Sequence, residues 1–375
     1  MKYLALLPLV FTLAAQTQPP VEKNPSAFDV IAKKAEAARQ DSNTVEAIAL
    51  YSQAVRLKAA WSEGWWYLGT LYYDSDQYTD GLAAFRRLTL LEPKMTVAWA
   101  MLGLCEFETK NYDHALEHLQ QAGVLGLAPD QSFFAVARYH EALLLTRSEQ
   151  YDAAIDILSK MIAHGDTGPK QIEALGIACL FKPVLPSELP PTERELVMAV
   201  GRAMADAATR RTADAVAQLE ALLRDHPNQP QLHYLYGLVL LAGDPDKALQ
   251  AFQEELAISP NHEQSFISIA GEYLKRTDYA SALPFAEKAA AAEPNLYFGH
   301  AMLGRVLVEG DLDVARGAKE LEIAARLAPT NLQVRFTLAS AYSKLGRKED
   351  AARERAEFLR LRAQTDVASS ASGQK

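Results

Sequence analysis

One short run carries the residue types that could do chemistry: His114-Ala115-Leu116-Glu117-His118. Histidines four apart on a helix share a face. Their imidazoles could hold Zn²⁺ while Glu117 served as the base that activates a bound water. The context argues against that use. Ala115 is a small residue inside an apolar helical pattern, so the helix is already committed to packing. Glu117 and the two histidines then fall on or near its outer side, with no obvious third ligand. A five-residue pattern arises readily by chance, and a solvated helix face accounts for it. No catalytic residue and no metal ligand is assigned.

The pattern resembles the H-x-x-E-H run of inverted zinc peptidases, which keeps a zinc-dependent peptidase or accessory enzyme as the alternative function. Other searches return nothing: there is no phosphate-binding glycine loop, G-x-S-x-G elbow, G-x-G-x-x-G run or C-x-x-C pair, and no cofactor is implied. His164, His226 and His262 fall at turns, where an exposed imidazole needs no explanation. His233 and His300 stand in the packing column occupied elsewhere by Trp65 and Trp99. Cys105 and Cys179 lie inside apolar helical patterns and read as buried free thiols.

The elements that would position such residues must be helices. Alanine, leucine, glutamate and arginine dominate, and β-branched residues are sparse. Apolar residues make up 49% and charged residues 23%, which is a globular composition. A net charge of −9 argues against general nucleic-acid binding, which needs a basic face. Lys2 precedes an apolar run from Tyr3 to Leu13, then Ala14, Ala15 and a polar stretch, the layout of a cleavable signal. The expected location is periplasmic or secreted, with no integral membrane span after cleavage; an uncleaved anchor is the competing reading.

Self-similarity is the productive signal. A small residue recurs at Ala35, Gly69, Gly103, Ala142, Ala203, Gly237, Ala270, Gly304 and Ala339, mostly at steps near ~34 residues. About a dozen residues after each comes a second, from Ala47 and Gly81 through to Ala351. Antiparallel helices approach closely only where neither carries bulk at the crossing. Large residues fill the flanks at helical spacing, and second helices end near Pro93, Pro227, Pro260, Pro294 and Pro329. The steps are irregular between Gly103 and Ala142 and between Ala142 and Ala203, where a proline-rich run breaks a degenerate unit.

Trp65-Trp66-Tyr67-Leu68-Gly69-Thr70-Leu71-Tyr72, followed by Gly81, Phe85 and Pro93, resembles the tetratricopeptide repeat (TPR) almost column by column. The resemblance covers about residues 28 to 365. It implies an all-α fold: a right-handed α-solenoid of antiparallel helix pairs, a TPR superhelix of about nine repeats, with first helices lining a concave face. Residues pointing into that groove would include Trp66, Thr70, Tyr73, Leu104, Phe107, Tyr139 and Leu143. An apolar, aromatic strip of this kind suits a protein or peptide partner; burial between adjacent first helices is the other explanation of the same residues.

The expected organisation is a signal peptide (1–15), an extended linker (16–27), an N-terminal repeat array (28–181), a Pro-rich loop (182–191), a C-terminal array (192–365) and a disordered tail (366–375). The function expected is a non-catalytic scaffold for protein–protein interaction in the periplasm or cell envelope. Oligomeric state is open.

Overall fold

The computed structural model describes residues 26–128 and 133–373, with side chains through residue 364. The signal segment and most of the expected linker lie outside the described residues. Among those described there are nineteen helices and no strand. No helix among them is long and apolar enough to cross a membrane.

Two compact units divide between Ala98 and Trp99. The first contains α1 (Ala27–Gln40), α2 (Thr44–Leu57), α3 (Ser62–Asp74) and α4 (Tyr78–Leu91); the division falls in the first turn of α5 (Thr96–Glu108). The second continues with α6 (Tyr112–Val124), α7 (Phe134–Arg147), α8 (Tyr151–Ala163), α9 (Pro169–Cys179), α10 (Arg194–Ala208), α11 (Thr212–Asp225) and α12 (Leu232–Leu240). It ends with α13 (Pro245–Ile258), α14 (Glu263–Lys275), α15 (Tyr279–Ala292), α16 (Tyr297–Glu309), α17 (Val314–Leu327), α18 (Leu332–Lys344) and α19 (Lys348–Gly373). Helix α19 therefore runs on where a disordered tail from 366 was expected.

Within each pair the small residues do what their spacing implies. A Cβ on Gly69 would stand 2.8 Å from the Phe85 ring, so glycine lets that ring close the α3–α4 crossing. Ala35, Ala47, Ala142, Ala154, Ala203 and Ala215 are all fully buried. The turn inside a pair is a repeated device. Ser42, Asp76, Lys110, Glu149, Arg210 and Thr277 each take a positive φ, and the next residue's N–H reaches back to the last turn of the first helix, as Asn43 to Ala38 and Gln150 to Leu145. These are Schellman-type caps built without glycine.

Second helices stop where proline forbids their continuation. The cap residues of α4, α11, α13, α15 and α17 are Glu92, His226, Ser259, Glu293 and Ala328, each directly before a proline. The Trp65 column has a shared polar task as well as a packing one. Trp65 Nε1 donates to Ala59 O, while His233 Nε2, His300 Nε2 and the Arg335 guanidinium each meet the carbonyl six residues earlier, on Pro227, Pro294 and Pro329. One ring or guanidinium donor thus ties a first helix to the loop before it.

The Pro-rich segment does not divide the chain. Helices α9 and α10 pack across it closely: a Cβ on Gly176 would lie 2.0 Å from Val197 O, and one on Gly201 would lie 2.1 Å from Ile172 O. Leu185 and Leu189 from the connecting loop are buried. Glu188 accepts from Leu185 N at 2.8 Å and from Arg147 at 2.5 Å, and Lys182 pairs with Glu193. A proline run thus forms an ordered crossover rather than a linker between arrays.

Both cysteines are free and buried. Burial pushes the Cys105 thiol up to about 12 and raises Cys179 further. The thiolate is the reactive form, so a thiol reagent at pH 8 should label neither residue in the folded chain and both after denaturation. Stoichiometric labelling of the native chain within minutes would contradict this packing.

Candidate functional site

The His114–His118 run sits on α6 with Ala115 fully buried at the crossing, and only part of it keeps to the expected outer side. The His114 and Glu117 side chains are 60% and 70% exposed. His118 turns inward: its Nδ1 lies 2.6 Å from Glu106 Oε2, and its ring packs 5.3 Å from Trp99. Among the described residues, no group of three or more His, Cys, Asp or Glu side chains is arranged to hold a metal ion.

The residues expected to line a groove fall into two sets. Trp66, Thr70, Leu104 and Leu143 are buried. Trp66 packs edge-on against Phe85 at 5.9 Å, and the Thr70 hydroxyl donates to Tyr67 O. Tyr73, Phe107 and Tyr139 are half-buried. Tyr73 meets Tyr78 in the first unit, while Phe107 lies edge-on to His140 in the second. Tyr139 also lines a cavity of about 530 Å³ together with Lys170, Pro186 and Arg194.

A second cavity of the second unit was not legible in the sequence. It measures about 560 Å³ and gathers the start of α8, the first turn of α12, the first half of α14 and the start of α16. Its apolar walls include Tyr151, Tyr234, Ile267, Leu296 and Phe298. Leu296 and Phe298 are 44% and 39% exposed, unusual for large apolar side chains. Three acidic residues, Glu149, Asp152 and Glu263, also belong to the lining, with Gln150, Gln264 and Ser268.

Each wall is held from behind. Tyr151 stacks on Phe181 at 4.5 Å with the rings nearly parallel, so the ordered loop after α9 fixes it. Tyr234 packs on Phe252 and against the His262 ring. His262 is not the exposed turn histidine its position implies. It is buried, with Nδ1 2.7 Å from Ser265 Oγ and Nε2 3.0 Å from Gln231 Oε1. Burial holds its imidazole below the usual histidine range. Gln231 takes a φ of 79°, and its N–H donates to the fully buried Glu255, which also accepts from Tyr234 N. An acidic side chain from α13 thus caps the N-terminus of α12, where a negative group is favoured.

These contacts depend on residues far apart in sequence. No local spacing announces them, which is why helical periodicity does not single out Asp152, Glu263 or Phe298. The available signal was an apolar pair, Leu296 and Phe298, at the start of α16 just after Pro294.

Comparison with known proteins agrees with the architecture. A tetratricopeptide-repeat family model matches residues 68–132 and 200–263. No curated protein sequence matches the chain. Solved structures similar to it include a double mutant of MamA from RS-1, at 23% identity and a TM-score of 0.42, covering 45% of this chain and 96% of that one. MamA from Desulfovibrio magneticus RS-1, residue 41 to the end, is similar at 24% identity and a TM-score of 0.40, covering 45% and 97%. A further MamA crystal structure shares 14% identity with a TM-score of 0.39, covering 44% and 96%. Two segments of this chain thus match the tetratricopeptide repeat, and both lie in helix pairs that cross at small residues and stop at prolines.

Proposed function

We propose that this chain is a non-catalytic scaffold of the periplasm or cell envelope that holds segments of partner proteins on apolar concave surfaces. Tetratricopeptide repeats support the general role of a protein-interaction scaffold. The observation that carries the finer reading is the 560 Å³ cavity, with Leu296 and Phe298 left open at its edge. Concave, mostly apolar surfaces with a few polar groups are the usual form of a binding site. Tyr73 in the first unit, and Phe107 and Tyr139 in the second, are the accessible members of the expected groove and serve as further contacts. The N-terminal signal-like run supports an envelope location.

The test is affinity capture from an envelope extract, comparing the wild-type chain with Leu296→Ser/Phe298→Ser. Both side chains are solvent-accessible, so helicity should be unchanged while recovery of specific partners falls at least about tenfold, as for loss of an apolar anchor pair. Equal recovery by the folded double variant would remove this cavity from the reading. A parallel Tyr73→Ser/Tyr139→Ser chain tests the first-helix surface.

A further inference from the structure

The lining of that cavity poses an electrostatic problem. Glu263 is only 4% exposed. The Gly299 N–H at the start of α16 helps to hold its carboxylate, while Oε1 has no hydrogen-bond partner among the described residues. A buried polar atom in this state is costly and uncommon. The surroundings add to the cost. Desolvation is the largest effect, and Glu293 and Asp152 both repel the anion, so the Glu263 carboxyl is pushed up to about 7. His300 acts in the opposite sense, but its Nδ1 is already engaged by Glu320 Oε2 at 2.7 Å. Asp152 is raised too, by desolvation at the cavity wall. No lysine or arginine is among the lining residues.

We propose that this cavity receives a lysine or arginine side chain from a partner protein, the cationic head meeting Glu263 Oε1 and the Asp152 carboxylate while the methylene stem lies against Tyr234, Ile267 and Phe298. The identification rests on complementarity. A long basic side chain joins an apolar stem to a charged tip, and the cavity joins apolar walls to three acids, Glu149, Asp152 and Glu263. A bound cation offsets the desolvation of Glu263 and supplies the donor that Oε1 lacks. An apolar side chain would fill the same space and leave that oxygen unpaired. A divalent metal ion needs several oxygens converging on one point, and no three acidic, histidine or cysteine side chains among the described residues are so arranged. The chain's net charge of −9 also favours encounter with a basic segment.

This proposal rests on the scaffold reading, and its test separates the two. The full chain is used to select binders from a random peptide phage library. Selected peptides should share a lysine or arginine flanked by apolar residues. In a synthetic copy, replacing that residue with norleucine should weaken binding roughly tenfold or more, the loss expected for a charge-assisted contact. Glu263→Gln should weaken the cationic peptide similarly and leave the norleucine copy unaffected. Asp152→Asn, at a solvent-accessible position, gives the same comparison in a variant that keeps the buried acid. Binders without a shared cation, or cationic binders indifferent to both substitutions, would overturn the proposal while leaving the scaffold reading in place. A library that yields no binder would overturn both.

Discussion

Gly176→Ala should destabilise the chain by about 3 kcal/mol, at the upper end of what one added methyl group costs in a close-packed interior. The added Cβ would lie 2.0 Å from the Val197 carbonyl oxygen and 2.8 Å from its carbon. Backbone cannot rotate aside as a side chain does, so α9 and α10 must separate. Their separation would also uncover Leu175, Ile177 and Val200, all buried there. Gly201→Ala should behave alike, because its Cβ would strike Ile172 O. The control is Gly123→Ala. Nothing lies within 4 Å of a Cβ at that exposed position near the end of α6, and the substitution should stabilise by about 0.5–1 kcal/mol through helix propensity. Urea unfolding followed by circular dichroism reads all three. A Gly176→Ala midpoint equal to wild type would mean that the two helices do not cross there.

The Gly176–Gly201 crossing also marks what the sequence could and could not disclose. Small residues about a dozen apart revealed most helix pairs, because their helices are joined by turns of about three residues and the spacing is nearly constant. Between α9 and α10 the connection runs from Leu180 to Glu193, so the two glycines fall outside any fixed period. A search tuned to that period sees a worn unit and a linker. Packing sees two helices in backbone contact. The turn residues were hidden for a different reason. Asp76, Lys110 and Glu149 adopt a left-handed conformation that glycine would signal, and nothing in their side chains announces it. The prolines after second helices were legible because their effect on the preceding residue is local and covalent.

The candidate site divides in the same way. Apolar aromatics at helical spacing showed that Trp66, Leu104 and Leu143 matter to packing, but periodicity alone cannot separate a groove from a buried seam. Burial places those three in the seam and leaves Tyr73, Phe107 and Tyr139 partly accessible. The cavity beside Glu263 depends on α8 meeting α12, α14 and α16, a relation that no short window contains. In the His114–His118 run the small residue Ala115 located the crossing, but His118 lies inward against Glu106 and Trp99 rather than on the outer side expected of it.

A second large effect is expected at Glu255. Its side chain is fully buried and accepts three hydrogen bonds, from Gln231 N at 3.0 Å, Tyr234 N at 3.4 Å and Ser259 Oγ at 2.9 Å. Glu255→Ala leaves two N–H groups at the start of α12 without an acceptor. At about 1–3 kcal/mol for each unsatisfied buried donor, the loss should be roughly 3 kcal/mol. Glu255→Gln keeps one acceptor oxygen and nearly the same volume, yet turns an amide donor toward groups that need acceptors, so its loss should fall between wild type and alanine. The consequence reaches the cavity, because Tyr234 and the Gln231–His262 bond share this support. Hydrogen exchange gives the local readout: the Tyr234 and Leu235 amides should lose protection in Glu255→Ala before those of α18 do. Uniform loss across the second unit would show that Glu255 supports the fold as a whole rather than the start of α12. An unchanged melting temperature would show that the carboxylate does not cap that helix.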